Sequence, residues 1–304
     1  MSIATLAGTI GGFVGIVAIG WLLRRAGILE REDARPINAV IIYVGLPALI
    51  FRAVHGADLG TDLAIIAGIA WTVFAITAVL AWWVARLMRL ERPVAGGFIL
   101  AAALGNTGYI GYPLATAFLG EEGLVRAIFY DVFGTVAALL LVGLFVAERF
   151  GEAGEEKVNP LREAVRFPAV IALGIALLTR GMAVPAVVGD GLDALATLVV
   201  PLIMISVGLS LRPGCVRCNI APLAALTIIR LALAPALAAG LGALLLPDGE
   251  ALRLVVLEAG MPSMMLTLVI GARFRLDTGF IAAAILFTTI LTVVSVPLAQ
   301  LLLG

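Results

Sequence analysis

Charged residues are scarce in this sequence. Asp, Glu, Lys and Arg make up only 13% of its 304 residues, and hydrophobic residues make up 62%. A soluble domain carries about 25% charged residues, so this composition excludes a soluble fold. The mean hydropathy of +1.14 is typical of a chain made largely of membrane-spanning helices. The formal net charge is zero, and nothing therefore indicates nucleic-acid binding.

Histidine and cysteine are nearly absent, which removes most catalytic and metal-binding patterns. The only histidine, His55, stands at a predicted helix end beside Arg52, and we interpret it as an interfacial residue. The only cysteines, Cys215 and Cys218, form one Cys-x-x-Cys without a second pair, which favours two reduced thiols in a loop. No paired-His, Ser/His or metal-ligand spacing is present, so we predict neither an enzyme nor a metal or cofactor site.

Apolar runs long enough to span a bilayer follow one another along the chain. Charge clusters and turn residues separate ten of them, at 5–23, 36–53, 62–85, 93–119, 124–147, 165–180, 191–211, 220–246, 251–272 and 278–303. No stretch is left for a soluble domain, and the connection at 148–164 is typical of a solvated linker between halves. We predict an all-α polytopic membrane protein with ten transmembrane helices.

Lys and Arg are distributed unevenly over the predicted loops. The odd-numbered loops hold fifteen of them, and the even-numbered loops hold only Arg52, Arg126, Arg180 and Arg253. Cytoplasmic loops are enriched in Lys and Arg, so we expect the odd loops in the cytoplasm and both termini outside. The expected location is the cell membrane, a bacterial inner membrane, with the lipid bilayer as the surrounding partner.

Proline and glycine mark matching points in the two halves of the chain. Pro47 and Pro113 in spans two and four are spaced similarly to Pro201 and Pro262 in spans seven and nine. Five spans in each half, 1–150 and 151–304, would place the second repeat inverted in the membrane. Inverted repeats with paired broken helices predict a crossing near the midplane and a binding site there. The alternative is that these residues carry no function, since membrane helices often contain Pro and Gly.

The candidate binding site lies at the two predicted breaks. We expect the run from Gly105 to Pro113, with three glycines and Pro113, to break span four, and Gly260–Pro262 to break span nine. Half-helix N-termini at such breaks favour an anion such as a carboxylate. For Asn106, capping of the broken helix is the structural alternative. The substrate-binding candidates are Asn106, Thr107, Gly108, Tyr109, Pro113, Pro262 and Ser263.

Three ionisable residues lie inside predicted spans, where such residues are functional hypotheses by default. Glu258 and Asp131 are candidates to bind a coupling proton or cation, and H⁺ and Na⁺ both stay open. Arg230 is a candidate to meet a substrate carboxylate or to pair with one of the two acids. The structural alternatives are an ion pair inside the bundle and an arginine that extends to the cytoplasmic surface.

Small residues recur in the first span, as Gly8-x-x-x-Gly12 and Gly11-x-x-x-Gly15. This spacing allows close helix packing. The contact lies either within one protomer or between two, so a homodimer stays open.

The run from Gly105 to Leu114 resembles the fourth-helix signature of the auxin efflux carrier family. The pieces Val44–Phe51, Pro201–Leu211, Tyr130-Asp131 and Ala259–Pro262 also fit. The similarity covers nearly the whole chain. It implies a secondary carrier of organic anions such as auxin, malonate or malate, with a fold related to bile acid–sodium symporters.

In that family the crossing helices hold the carboxylate, which implies such a role for Asn106, Pro113 and Pro262. Glu258 is not part of the signature. We therefore expect a carrier of a small carboxylate or auxin-like acid that works by alternating access. The alternatives are a sodium-coupled organic-anion or sterol symporter of the related fold, and a membrane-embedded ligand sensor without net transport.

Overall fold

The structure, a computed structural model, describes residues 3–30, 32–152, 159–210, 220–246 and 249–303. Within these ranges the chain forms helices and no β-strand, and extended backbone pairs in a single bridge between Gly105 and Ser263. Cys215 and Cys218 lie outside the described residues.

The α-helices follow one another with short connections. They are α1 (Ile3–Arg25), α2 (Ala34–Val40), α3 (Leu46–His55), α4 (Leu63–Leu87), α5 (Arg92–Ala103), α6 (Tyr112–Phe129), α7 (Leu144–Phe150), α8 (Pro160–Arg166), α9 (Pro168–Leu178), α10 (Ala186–Ser210), α11 (Ile220–Thr227), α12 (Ala234–Leu245), α13 (Gly249–Ala259), α14 (Leu266–Arg273) and α15 (Thr278–Leu302).

Wider π-helical turns join several of these helices. They lie at Ile41–Gly45, Thr107–Gly111, Tyr130–Val136, Leu139–Gly143 and Ile228–Leu233. Such turns are rare and often occur at functional sites. Three of them contain candidate site residues, namely Thr107, Asp131 and Arg230.

Six continuous helices in the described part of the chain are long and apolar enough to cross a membrane. They are Ala34–His55, Leu63–Leu87, Thr107–Phe150, Ala186–Ser210, Ile220–Leu245 and Thr278–Leu302. The 44-residue helix is interrupted at Gly120, where φ is +68° and ψ is −156°. This conformation lies outside the helical region and suits glycine. The interruption falls at the boundary predicted between spans four and five.

Span four is interrupted as predicted, at the start of the Gly105–Pro113 run, but Pro113 itself does not break the helix. Helix α5 ends at Ala103, residue Leu104 is extended, and Pro113 lies in the first turn of α6. A proline is tolerated there because the first N–H groups of a helix have no intrahelical partner. The predicted break in span nine is confirmed, since α13 ends at Ala259 and α14 begins at Leu266.

The chain divides into two compact units. Unit 1 comprises Met1–Gly60, Thr116–Val125 and Val165–Leu211, and unit 2 comprises Thr61–Ala115, Arg126–Ala164 and Arg212–Gly304. Each unit combines segments from both halves of the sequence. These units are compact regions in space, whereas the division into 1–150 and 151–304 describes repeats along the sequence. The repeats stay a prediction.

In unit 1, glycines allow close packing of helices. Helix α1 packs along α10, and a side chain on Gly20 would overlap the backbone of Ile205. A Cβ on Gly45 would lie 2.8 Å from a Val199 methyl carbon. Gly45, two residues before Pro47, therefore faces Val199, two residues before Pro201.

Polar contacts close one end of unit 1. Arg52 binds Asp193 through two hydrogen bonds of 2.5 and 2.8 Å. The ring nitrogen Nε2 of His55 lies 2.8 Å from the carbonyl oxygen of Thr179. His55 thus contacts a helix-end carbonyl, which fits a structural role at an interface rather than a proton relay.

The core of unit 2 packs around small side chains. Alanines of α4, α5 and α15 surround the stacked rings of Phe98 and Phe280, whose centroids are 6.1 Å apart. Small residues let helix backbones approach closely in a membrane protein. This core fixes α5 and α15 beside the two breaks.

Candidate functional site

The two helix breaks lie against each other in unit 2. The backbone N–H of Asn106 donates to the carbonyl of Pro262 at 2.7 Å, and that of Met264 donates to Leu104 at 3.0 Å. These bonds flank the bridge between Gly105 and Ser263. Unpaired backbone groups are costly in hydrocarbon, so each break satisfies part of the other. The predicted meeting of the breaks is confirmed.

Ser263 links the crossing to its surroundings. Its hydroxyl donates to the carbonyl of Ala101 at 2.7 Å, and its backbone N–H donates to the hydroxyl of Thr288 at 3.0 Å. Ser263 is fully buried. Because its hydroxyl proton is already committed to α5, Ser263 is placed as a structural link rather than as a donor for an anion.

Arg230 contacts the ends of both helices that stop at the crossing. Its Nη1 donates to the carbonyl of Ala103, the last residue of α5, at 2.9 Å. Its Nη2 donates to the carbonyl of Ala259, the last residue of α13. Helix C-termini carry partial negative charge, so one guanidinium neutralises two helix ends.

The placement of Arg230 differs from both sequence-based alternatives. The side chain is 2% exposed, so it does not extend to the surface. Its hydrogen bonds go to backbone carbonyls and not to an acidic side chain. The expected pairing with an acid is therefore not formed, because the two helix ends supply the negative charge.

Asp131 is a negative group at the start of a helix, whereas Arg230 is a positive group at the ends of two helices. Its carboxylate accepts hydrogen bonds from the hydroxyls of Thr107 at 2.5 Å and Tyr112 at 2.7 Å. Both donors stand at the start of the helix that resumes after the break, where the helix dipole is positive. Gly108 leaves room for this carboxylate, since a Cβ there would lie 3.1 Å from Oδ2. The Thr107 hydroxyl is thus used inside the protein.

Glu258 is buried without a hydrogen-bond partner. It is 0% exposed, and neither carboxyl oxygen has a partner among the described residues. Its carboxyl lies against Gly111, where any side chain would overlap it. An ionised carboxylate in that state is very costly, so the group is protonated, or it binds an ion or proton donor.

Two uncharged donors at the crossing also lack partners among the described residues. They are Nδ2 of Asn106, which is 3% exposed, and the hydroxyl of Tyr109; Nε of Arg230 is a third, cationic donor in the same state. The Asn106 side chain makes no capping hydrogen bond, although the residue stands at the N-cap. A buried donor without a partner costs about 1–3 kcal/mol. Capping therefore does not explain Asn106, and both groups are free to bind a ligand.

A small cavity lies at the crossing, beside Glu258 and Arg230. Its volume is about 10 Å³, and Gly105, Thr107, Tyr130, Arg230 and Glu258 contribute to its wall. Such a space holds about one water molecule. A carboxylate anion does not fit in it, so the region has to open before such a ligand enters.

Many apolar helices with two broken helices paired through their backbones are typical of a transporter fold. The family model described as "Membrane transport protein" matches residues 13–299. The chain belongs to this family, that of the auxin efflux carriers, as the sequence resemblance implied. It is thus a multi-pass membrane protein.

Relatives match over nearly their full length. An "Uncharacterized transporter" of Methanothermobacter thermautotrophicus is 35% identical over 95% of both chains. A second "Uncharacterized transporter", from Methanocaldococcus jannaschii, is 34% identical over 90% of this chain and 91% of its own. A "Putative malonate transporter" of Rhizobium meliloti is 26% identical over 96% of this chain and 94% of its own.

Sequence analysis missed three residues of the site. Tyr112 and Gly111 lie inside the Gly105–Leu114 run but were not among the candidates, and Thr288 in α15 had no signal at all. Tyr112 lies five residues after Thr107, and the wider π-helical turn between them brings both hydroxyls to Asp131, whereas α-helical spacing pairs residues three or four apart. The contact of Gly111 with Glu258 joins two distant parts of the chain and requires the fold.

Proposed function

We propose that the chain is a secondary carrier of a small organic anion that works by alternating access around the Gly105–Ser263 crossing. The observation that carries this proposal is the pair of buried donors without partners, Asn106 Nδ2 and Tyr109 Oη. Asn106 and Tyr109 would donate to a carboxylate, and the backbone of the crossing, including Gly108, Pro113 and Pro262, would shape its seat. N–H groups at the start of α14 add positive potential nearby.

Malonate or a similar small dicarboxylate is the first substrate to test. The Rhizobium meliloti relative is named for malonate and aligns over nearly the whole chain. A compact dianion also suits a site made of neutral donors and helix N-termini.

The proposed topology has ten spans, arranged as two inverted repeats of five. The interruption at Gly120 supports a division of the 44-residue helix into spans four and five. The paired breaks support a correspondence between spans four and nine. The Lys and Arg distribution supports external termini, in the cell membrane, which is the inner membrane in a bacterium.

For coupling, we propose a proton carried by Glu258 rather than a sodium ion. Sodium would need oxygen ligands, and carbonyls at broken helix ends are suitable ones. Here Arg230 already binds the carbonyls of Ala103 and Ala259. Its fixed positive charge would repel a cation from those oxygens. Glu258 faces the same cavity, together with Tyr130, and it has no fixed counter-ion.

The proposal is tested with purified protein in proteoliposomes loaded on one side with radiolabelled malonate. A carrier gives saturable flux that unlabelled malonate inhibits, and Asn106→Ala reduces it. A ligand sensor gives binding without flux. Flux that requires a sodium gradient would instead favour the sodium-coupled symporter and contradict the role assigned to Arg230.

A further inference from the structure

An open groove of about 720 Å³ lies on the surface of unit 2 and shares no wall residue with the cavity at the crossing. It runs between α4, α5 and α7. Its wall is mostly apolar and includes Val79, Ile99 and Phe145. Val79 and Phe145 are 57% and 63% exposed, so this wall faces the surroundings of the protein. In a membrane protein those surroundings are lipid.

Positive charge is concentrated at one end of the groove. Arg86 lies in the last turn of α4, Arg92 opens α5, and Arg149 lies in the last turn of α7. All three line the groove, and no acidic residue does. Glu91 and Glu148 are their chain neighbours but are not part of the wall.

Two contacts hold this end of the groove in place. Arg92 donates through Nη2 to the backbone carbonyl of Arg149 at 2.7 Å. The guanidinium carbon of Arg86 lies 5.7 Å from the centre of the Trp82 ring. Tryptophan is enriched where helices meet the membrane–water interface. The arginines therefore stand at headgroup depth, and the apolar wall extends from them into the hydrocarbon.

We propose that this groove binds one anionic phospholipid. An acyl chain would lie along Val79, Ile99 and Phe145, and Arg86 and Arg149 would bind the headgroup phosphate. The volume falls in the range of about 300–1,000 Å³ that is usual for sites of small organic ligands. Arginine binds phosphate through paired hydrogen bonds, and basic pockets between membrane helices are suited to anionic headgroups.

Charge is what selects an anionic lipid over other occupants. A neutral lipid satisfies the apolar wall but brings no net negative charge to the three arginines that line the groove. An apolar helix of another protein or of a second copy would likewise bring no negative charge to the arginines. This inference depends only on the membrane location of the chain and not on its substrate.

Native mass spectrometry of the protein in detergent tests the inference. The protein is mixed with equal amounts of dioleoyl-phosphatidylglycerol and dioleoyl-phosphatidylcholine. The wild type is expected to retain one phosphatidylglycerol in preference to phosphatidylcholine. The double variant Arg86→Gln/Arg149→Gln is expected to bind phosphatidylglycerol about thirtyfold more weakly, since each arginine near a headgroup contributes about a factor of five. Arg89→Gln removes an exposed arginine outside the groove and should change nothing.

A second variant tests the apolar part. Val79→Trp fills the groove while all three arginines stay, and it should displace the bound lipid. Size-exclusion profiles and thermal denaturation midpoints equal to those of the wild type show that the variants are folded. Three results overturn the inference: equal retention of the two lipids, retention by the double variant, or loss that Arg89→Gln reproduces. A protein dimer that the groove variants convert to monomers would assign the groove to a second copy instead.

Discussion

The carboxyl group of Glu258 lies directly beside Gly111, and any side chain at position 111 would overlap this carboxyl group and displace it. Glu258 closes the helix before one break, and Gly111 follows the other break. The contact therefore joins the two broken helices through a buried acid and a missing side chain. It makes the position of the carboxyl sensitive to a single methyl group.

Gly111→Ala should displace the Glu258 carboxyl and lower both uptake and stability. Overpacking in a filled region costs about 1–3 kcal/mol. The measurement is malonate uptake in proteoliposomes, together with the thermal denaturation midpoint in detergent. Gly240→Ala in α12 is the control, because a Cβ there would meet no atom within 4 Å. Equal effects of the two variants would contradict the special role of Gly111.

Asn106→Ala should weaken substrate binding without destabilising the protein. Its Nδ2 has no partner among the described residues, so truncation to Ala breaks no hydrogen bond of that atom. A hydrogen bond to a charged carboxylate contributes about 1.5–3 kcal/mol, which is about a tenfold to hundredfold loss of affinity. Malonate-induced thermal shifts and uptake measure this effect.

Ser263→Ala is the control for Asn106→Ala, with the opposite pattern expected. The Ser263 hydroxyl donates to the carbonyl of Ala101, so its removal should cost about 1 kcal/mol of stability. Affinity for malonate should stay close to that of the wild type. Unchanged binding in Asn106→Ala would leave that residue without a role in recognition.

Much of the helix arrangement was predictable from the sequence, because charges and turn residues separate the apolar runs. Gly260–Pro262 marked a real break. Pro113 misled the prediction for span four, because a proline fits the first turn of a helix as well as it disrupts the middle. The break lies at Leu104–Asn106, at the start of the glycine-rich run that marked it.

The chemistry of the site was predictable in composition but not in pairing. The intramembrane positions of Asp131, Arg230 and Glu258 followed from their rarity in apolar spans. Their partners did not: Arg230 binds two backbone carbonyls, Glu258 lies against a glycine, and Asp131 binds the hydroxyls of Thr107 and Tyr112. Backbone groups look alike at every residue, and only the fold shows that Ala103 and Ala259 end at the same guanidinium.

Arg230→Met should destabilise the protein strongly. It removes two charge-assisted hydrogen bonds to helix ends, each of which contributes about 1.5–3 kcal/mol. Arg230→Lys should restore part of the stability, since an ammonium keeps the charge but lacks the fork that reaches two carbonyls. Denaturation midpoints of the three proteins measure this order. Equal loss in both variants would show that charge at this position is unimportant.

A cytoplasm-specific reporter fused at Gly304 should be inactive, and a periplasm-specific reporter should be active. The reason is the concentration of Lys and Arg in the odd-numbered loops. A fusion in the 148–164 connection should give the opposite result and serves as the internal control. An active cytoplasmic reporter at Gly304 would overturn the proposed topology and the inverted repeat.

Glu258→Gln should flatten the pH dependence of uptake while malonate still binds. The amide has the shape of the protonated acid but cannot release a proton. Arg230 and Tyr130 line the same cavity, and Asp131 is the other buried acid of the crossing, with two hydroxyl donors of its own. Asp131→Asn is therefore the matched control, and it should lower stability more than it changes the pH profile.

The comparison is uptake over a range of pH, with and without an imposed pH gradient, in wild type, Glu258→Gln and Asp131→Asn. If Glu258 carries the coupling proton, the gradient should accelerate uptake in the wild type and in Asp131→Asn but not in Glu258→Gln. Exchange of internal for external malonate needs no net proton movement, so it should survive in Glu258→Gln. A wild-type gradient response in Glu258→Gln would make Glu258 structural. Loss of the response in Asp131→Asn alone would assign the proton to Asp131.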